Sequence, residues 1–561
     1  MKVSAARAAL LIAFVFGCAS SADASITARY GGVRYGDFDV TCTDIMTPSW
    51  LGNMTLQRVY VSSNDYTGMF GAKWETRLET NLDVQDDGSV VVHEFGGGYG
   101  TPFPPTNAKV RPLGTVYDEI TAAAERAGRF GSDSEENAYR DWLKSDSLTR
   151  QDEWVRLRDL GLVTQQRSHA GETFYSGEFG SRFITRVPEG YQREDLGGRI
   201  EAFDLAGKLE RVWDANRNFI TLRYDSRGRL TQIDDNLGNK FVFFYNALGF
   251  VEKIAAGDGR VARFEYKGSD LVKSVDAAGV TLRYEYDEQH HMTAVRYAEG
   301  KSTEVTYNPY RVKELKNRDG SDVTYEYKTD DTHIDASSTT KAADGTQSQS
   351  EYHYSGPRWG RWDTYAVVTN GKRSETKFDA VGHATSYTTP DGVTRYRYDQ
   401  LGRTILEEGP QATIATTYAG EATDSAATVT KTAGGTTWTR RFEYDPKGNL
   451  TRASDNQSHV VTFKHDEYGR LTMLVYGDSS LHVSYDRLFE PETVALDGVG
   501  QVRFTYAGDG GIKSVDGGTT PAAAGKIAAL VRLLQPAIDP TNQIILSSSA
   551  LAELDKVSQA K

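Results

Sequence analysis

The chain is poor in the residues that carry metal, redox and membrane chemistry. Of its 561 residues only two are cysteines and ten are histidines. Its longest apolar run, Ala8 to Gly17, is well short of the ~20 residues a membrane-spanning helix requires. That run follows Lys2 and Arg7 and precedes Ala22-Asp23-Ala24, so residues 1–24 read as an export signal cleaved after Ala24. A second reading of the same segment places a lipid on Cys18. Cleavage leaves Cys42 as the only cysteine, which excludes an internal disulfide framework, a Cys-based zinc site and a CxxC redox pair. Loss of Lys2, Arg7 and Asp23 moves the formal charge from −13 to −14, and no basic face is available to neutralise phosphates, so nucleic acid is excluded as a partner.

What the chain does have is a beat. Aromatic residues recur every 20 or 21 positions at Phe203, Tyr224, Tyr245, Tyr266, Tyr286, Tyr307 and Tyr327. The beat slips, then resumes at Phe378, Tyr398 and Tyr418 and again at Tyr444, His465, Tyr485 and Tyr506. A fixed period of this length means an array of stacked units. Each unit reads as two short strands and two tight turns, as in Phe219 to Tyr224, Asp225-Ser226-Arg227-Gly228, Arg229 to Ile233, and Asp235-Asn236-Leu237-Gly238. Asp and Asn open such turns through their own backbone, and glycine takes the positive-φ position. The turn glycines expected from this pattern are Gly207, Gly228, Gly249, Gly382, Gly402, Gly448 and Gly469. Most anchors have an apolar partner two residues earlier, such as Phe264 before Tyr266, which places both on one strand face. The aromatic row is therefore the expected core.

Around the array the period changes. Residues 25–113 read as a β domain, 114–169 as a helical insert, 170–515 as the repeat sheet, and 516–561 as a linker with a short helical tail. In the insert, Tyr139, Trp142 and Leu143, then Trp154, Leu157 and Leu160, recur at three and four. Ser132 or Ser134 is the expected helix cap and Gly161 the terminator. The insert's apolar stripe is expected to pack on the sheet, with a docking surface as the alternative. The N-terminal region and the tail are expected to cap the array, since terminal repeats need covers. Residues 328–377 and 419–440, where the beat is weakest, read as longer loops or degenerate repeats.

Three phrases resemble the YD repeat of Rhs and teneurin-like proteins: Tyr224-Asp225-Ser226-Arg227-Gly228-Arg229-Leu230, Tyr398-Asp399-Gln400-Leu401-Gly402-Arg403, and Tyr444-Asp445-Pro446-Lys447-Gly448-Asn449-Leu450. Arg58-Val59-Tyr60-Val61-Ser62, followed by Gly68-Met69-Phe70-Gly71-Ala72-Lys73-Trp74, resembles the R-x-Y-x-S and G-x-F-G-x-G-W pattern that precedes Rhs repeats, with Lys73 in place of the usual glycine. The resemblance implies a mainly β fold, a long antiparallel hairpin sheet spiralling into a shell or partial shell. In the family such a shell often encloses a C-terminal toxin released at a self-cleaving motif. Here the comparable tail segment, Asp539-Pro540-Thr541-Asn542, departs from that motif, so a cargo domain of its own is not expected.

The residues offer no catalytic constellation, cofactor site or metal site. His93-Glu94 reads as a strand end, His290-His291 as neighbours on opposite faces, and His459, His465 and His482 as packed side chains of adjacent repeats. The expectation is an exported, non-catalytic β-shell working by encapsulation or by interaction with a protein or glycan at a surface. The alternative is a cage component acting with a separately encoded effector.

Overall fold

The computed structural model describes residues 26–32, 35–49, 52–97, 100–107, 112–145, 147–163, 168–177, 182–330, 332–356, 362–380, 382–487, 490–507, 511–516, 520–538 and 545–559. Ala24, Cys18 and Asp539 to Asn542 lie outside them. The chain is mainly β, and its dominant element is a 33-stranded antiparallel sheet from Thr173–Ser176 to Ile512–Asp516. Every strand pairs with its sequence neighbours, and the sheet does not close into a barrel. Two compact units result, one of residues 1–76, 196–199 and 212–561, the other of residues 77–195 and 200–211. The division falls at Thr76, not near residue 113 as the change of sequence period suggests.

The hairpins form because each D-x-x-G segment closes on itself. Gly228 donates its N–H to the Asp225 carbonyl at 2.9 Å, and Asp225 donates to the Arg229 carbonyl at 2.9 Å. This is a type I turn followed by a left-handed residue, a favoured three-residue hairpin. The seven expected turn glycines all have positive φ, between 73° and 90°. At the weak points of the beat the structure has strands, not loops. His333–Lys341 and Gln347–Ser355 are nine residues each and pair without a register shift, whereas the regular strands, such as Leu230–Asp235, have six residues. Longer hairpin arms move the next anchor out of phase.

In the larger unit, Gly36 to Thr76 does not cap the first strand. Its strands, chiefly Asp37–Ser49 and Gly52–Val61, lie over the middle repeats between Leu230 and Val312. The tail behaves as expected: helices Pro521–Ile538 and Ser548–Gln559 pack Ile527, Val531, Leu534 and Leu554 against Phe442, Phe463 and Phe504 of the last repeats. Distant turns also meet. Asn216 and Asn449 exchange carboxamide hydrogen bonds at 3.0 Å in each direction, and Asn218 donates to the Tyr468 carbonyl at 3.1 Å.

In the smaller unit, the three-stranded sheet of Asn81–Val84, Val90–His93 and Gly100–Phe103 bridges to the repeat strands at Pro105–Phe174 and Asn81–Lys208. Three helices follow, Leu113–Arg126, Asp133–Ser145 and Ser147–Asp159. Their apolar stripe packs on itself, with Val116, Ile120, Leu143, Trp154 and Leu157 in one cluster. The expected docking of that stripe on the sheet is therefore corrected: three short helices bury each other's faces. Trp142 and Leu160, expected in the stripe, are exposed. Ser132 caps the second helix through the Glu135 N–H, and Gly161 has φ 70°. Glu94 beyond the strand end binds Arg193 and Arg182, and Arg193 also binds Glu201. Burial would push Glu94 up, but the two guanidiniums hold it below its ordinary range.

Candidate functional site

Apart from Phe203 the anchors are half-buried, and the buried row lies two residues earlier, at Phe243, Phe264, Tyr284, Phe442 and Phe504. A β-bulge at each anchor explains the difference. The register shifts between Phe244 and Tyr245, between Glu265 and Tyr266, and at the equivalent point of most later hairpins. The anchor is thereby laid across the preceding hairpin. Its phenol donates to the carbonyl that begins the preceding bulge: Tyr245 to Leu230, Tyr266 to Val251, Tyr286 to Leu271 and Tyr307 to Met292, all at 2.7–2.8 Å. Tyr398, Tyr444, Tyr485 and Tyr506 repeat the contact with Ala384, Ala426, Leu471 and Pro491 at 2.8 Å. Phenylalanine would fill the same space without satisfying that carbonyl, a need visible beforehand only in the preference for Tyr over Phe. Phe203 is buried beneath Arg193, Tyr327 carries Arg311 at 5.2 Å, and Tyr224 and His465 occupy the bulge positions opposite Leu230 and Leu471.

The turn that follows each anchor ties one repeat to the next. Asp225 Oδ1 accepts the N–H groups of Arg227 and Arg229, and its Oδ2 accepts Arg229 Nε at 2.9 Å. The same guanidinium lies over Tyr245, the next anchor, at 4.8 Å. Asp399, Arg403 and Tyr418 repeat the arrangement, as do Asp466, Arg470 and Tyr485. His291 and His383 replace the arginine in two turns, each on its own aspartate and stacked on Tyr307 and Tyr398. His290 turns instead to Asp270, while His459 and His482 bind Asp455 and Asp497, so the histidines do not converge.

The N-terminal segment docks through the residues of its motif. Arg58, fully buried, pairs with Asp44 at 2.7 Å, donates to the hydroxyls of Ser274 and Tyr284, and lies 4.3 Å over Trp74. Burial opposes the Arg58 charge, but Asp44 overrides it and the guanidinium stays charged. Tyr60 donates to the His290 carbonyl and accepts the Met292 N–H, and Ser62 accepts the N–H of Phe38. Gly71 has φ 94°, and a Cβ there would lie 2.2 Å from the Ser269 carbonyl oxygen. Cys42 is buried against Tyr284, and burial pushes its thiol up to about 11, which removes it from thiolate chemistry near neutral pH.

One stretch of this unit is unlike the rest. The core face is covered by the N-terminal segment around Phe264 and Tyr284 and by the tail helices around Phe442 and Phe504. Between them, among the described residues from Thr364 to Tyr418, only Ala366 and Ala384 are buried. The register runs Tyr354, Tyr365, Thr376, Tyr387 and Thr394 in one cross-strand row on this face. The opposite face carries charge, as in the row Lys377, Ser386, Arg395 and Glu408.

The family described as a domain of unknown function, DUF6531, matches residues 33–99. The RHS Repeat family matches residues 203–240, 267–302, 378–408 and 444–480. Toxin protein Tse5 of Pseudomonas aeruginosa is 27% identical over 449 residues, covering 77% of this chain and 30% of its own length. Teneurin-3 of Danio rerio is 24% identical over 286 residues, covering 49% of this chain and 10% of its own. The chain thus spans less than a third of the relatives it matches. Among solved structures, the Photorhabdus luminescens Tc holotoxin pore is 12% identical with a TM-score of 0.29, covering 85% of this chain and 30% of that one. TcdB2-TccC3 without its hypervariable C-terminal region is 10% identical with a TM-score of 0.26, covering 84% and 31%. The Tyr-to-carbonyl ladder, the Asp-to-Gly turns and the matched segments agree: the chain carries YD/RHS repeats.

Proposed function

We propose that this is an exported, non-catalytic scaffold of an Rhs-type toxin system, and that its sheet holds a protein partner on the face between Thr364 and Tyr418. The observation that carries this reading is the uncovered stretch. A sheet needs one face buried to be stable; this one is covered between Leu230 and Val312 and again over the last repeats, and among the described residues between them the side chains of the row from Tyr354 to Thr394 are only half-buried. The half-buried row is made of Tyr and Thr, side chains that offer large contact area and adaptable hydrogen bonds at low entropic cost. The similarity to a protein named as a toxin supports the setting. Exported chain, recovered with whatever it binds, tests the proposal. A defined protein should co-elute with it and be released by Tyr387→Arg or Tyr365→Arg, while Lys377→Glu on the opposite face has no effect. A chain that elutes alone, or a partner indifferent to Tyr387→Arg, would overturn it. A glycan is the second reading, favoured by the same tyrosines; glycan-array binding lost in Tyr387→Arg would select it.

A further inference from the structure

Within the N-terminal segment, Asn64, Lys73 and Glu75 form a cluster that docking onto the repeats does not require. Lys73 is 8% exposed, and its Nζ lies 2.8 Å from the main-chain oxygen of Asn64. The Asn64 carboxamide is fixed at both ends. Its Oδ1 accepts the Tyr66 N–H at 2.9 Å, and its Nδ2 donates to Glu75 Oε2 at 2.8 Å. Lys73 also holds φ 63°, a left-handed conformation that ordinarily selects glycine. A lysine in a left-handed conformation, bonded to the main chain of a residue whose carboxamide is clamped on a buried carboxyl, brings an amine, an amide and an acid into one cluster.

We propose that Lys73 and Asn64 join in an intramolecular isopeptide bond, with Glu75 carrying the protons. The neutral Lys73 amine attacks Asn64 Cγ, and the Tyr66 N–H stabilises the negative charge that develops on Oδ1. Glu75 gives its proton to Nδ2, the Cγ–Nδ2 bond breaks, and ammonia leaves. The proton lost by the attacking nitrogen returns to Glu75. One amine and one carboxamide become one secondary amide and one ammonia, without oxidant or cofactor. Burial acts on both groups in the direction the step needs, against Asp65 and Asp287 at the lysine. Burial lowers the Lys73 ammonium and pushes Glu75 up to about 7. Asp65, 3.8 Å from Nζ, is the competing acceptor, but its side chain is fully exposed.

Intact mass and tryptic mapping of the purified full chain test this. The expected product is a Val59–Arg77 peptide that is uncut after Lys73 and lighter by one ammonia. Glu75→Gln and Lys73→Arg should restore the full mass, and Asn64→Asp should form the same link with loss of water. Wild-type chain of full mass that is cut after Lys73 overturns the proposal. So does loss of ammonia with normal cutting after Lys73, which marks a succinimide at Asn64-Asp65. A link mapped to Asp65 overturns it as well.

Discussion

Tyr286 offers the sharpest test of how the repeat ladder works. Its hydroxyl donates to the Leu271 carbonyl at 2.8 Å and accepts Trp74 Nε1 at 3.0 Å, so it serves the ladder and the docked N-terminal segment at once. Tyr286→Phe keeps the ring and strands two buried partners, each costing about 1–3 kcal/mol when left unsatisfied. The sum expected is about 2–6 kcal/mol. Tyr398 donates to the Ala384 carbonyl and is half-buried, so Tyr398→Phe should cost about 1 kcal/mol. Urea unfolding with an unchanged slope gives the two values. Repeat arrays can unfold in parts, so hydrogen exchange of Thr281–Arg296 supplies a local reading. Equal shifts for both variants, or an unchanged midpoint for Tyr286→Phe, would show that the hydroxyls are ornaments on aromatic packing and refute the ladder.

Four further outcomes follow from the geometry. Arg58→Met should destabilise by about 3–5 kcal/mol by leaving Asp44 buried alone, and Arg58→Met with Asp44→Leu should recover most of it in chemical denaturation. Gly448→Ala, with φ 86° and open space around the new Cβ, should cost about 1–2 kcal/mol of backbone strain. Gly469→Ala places its Cβ 2.6 Å from Asn216 Nδ2 and should cost roughly 1–2 kcal/mol more by breaking the Asn216–Asn449 pair, with hydrogen exchange rising at both turns. Glu490 stands where other turns carry Arg, His or Asn, and burial, then Asp486, raises it from 4.5 to about 7. Folding therefore binds a proton, and this stability is complete below about pH 4.5 and lost as pH rises to about 7. Glu490→Gln should flatten that decline by about 2 kcal/mol in pH-dependent melting; an unchanged slope would remove Glu490 as its source.

Much of this architecture was legible in the chain. The spacing of Tyr224, Tyr245 and Tyr266 marked the hairpins, and Asp225 to Gly228 marked their turns, because both signals are local. Lys73 in a glycine position was visible as a departure from the N-terminal pattern; its positive φ and its neighbours were not. The docking of Arg58 on Ser274 and Tyr284 spans more than 200 residues, and no local pattern encodes it. The helical insert misled for a related reason: a stripe of Tyr139, Leu143, Trp154 and Leu157 states that something must be covered, not what covers it.

The same distinction locates function. The anchor's ring and hydroxyl are spent on the neighbouring hairpin, and the Asp and Arg of the turn on the anchor after it. These positions are held by the array's own continuity, which is why they keep a beat. The positions two and four residues before each anchor face away from that ladder and are free to differ from one repeat to the next. Where they are Phe264, Tyr284 or Phe442 they are buried against the chain's own segments, and where they are Thr376, Thr394 or Tyr396 they are half-buried. The periodic part of the sequence thus builds the wall, and its departures from apolar character at those two positions mark where the chain's own segments bury it least.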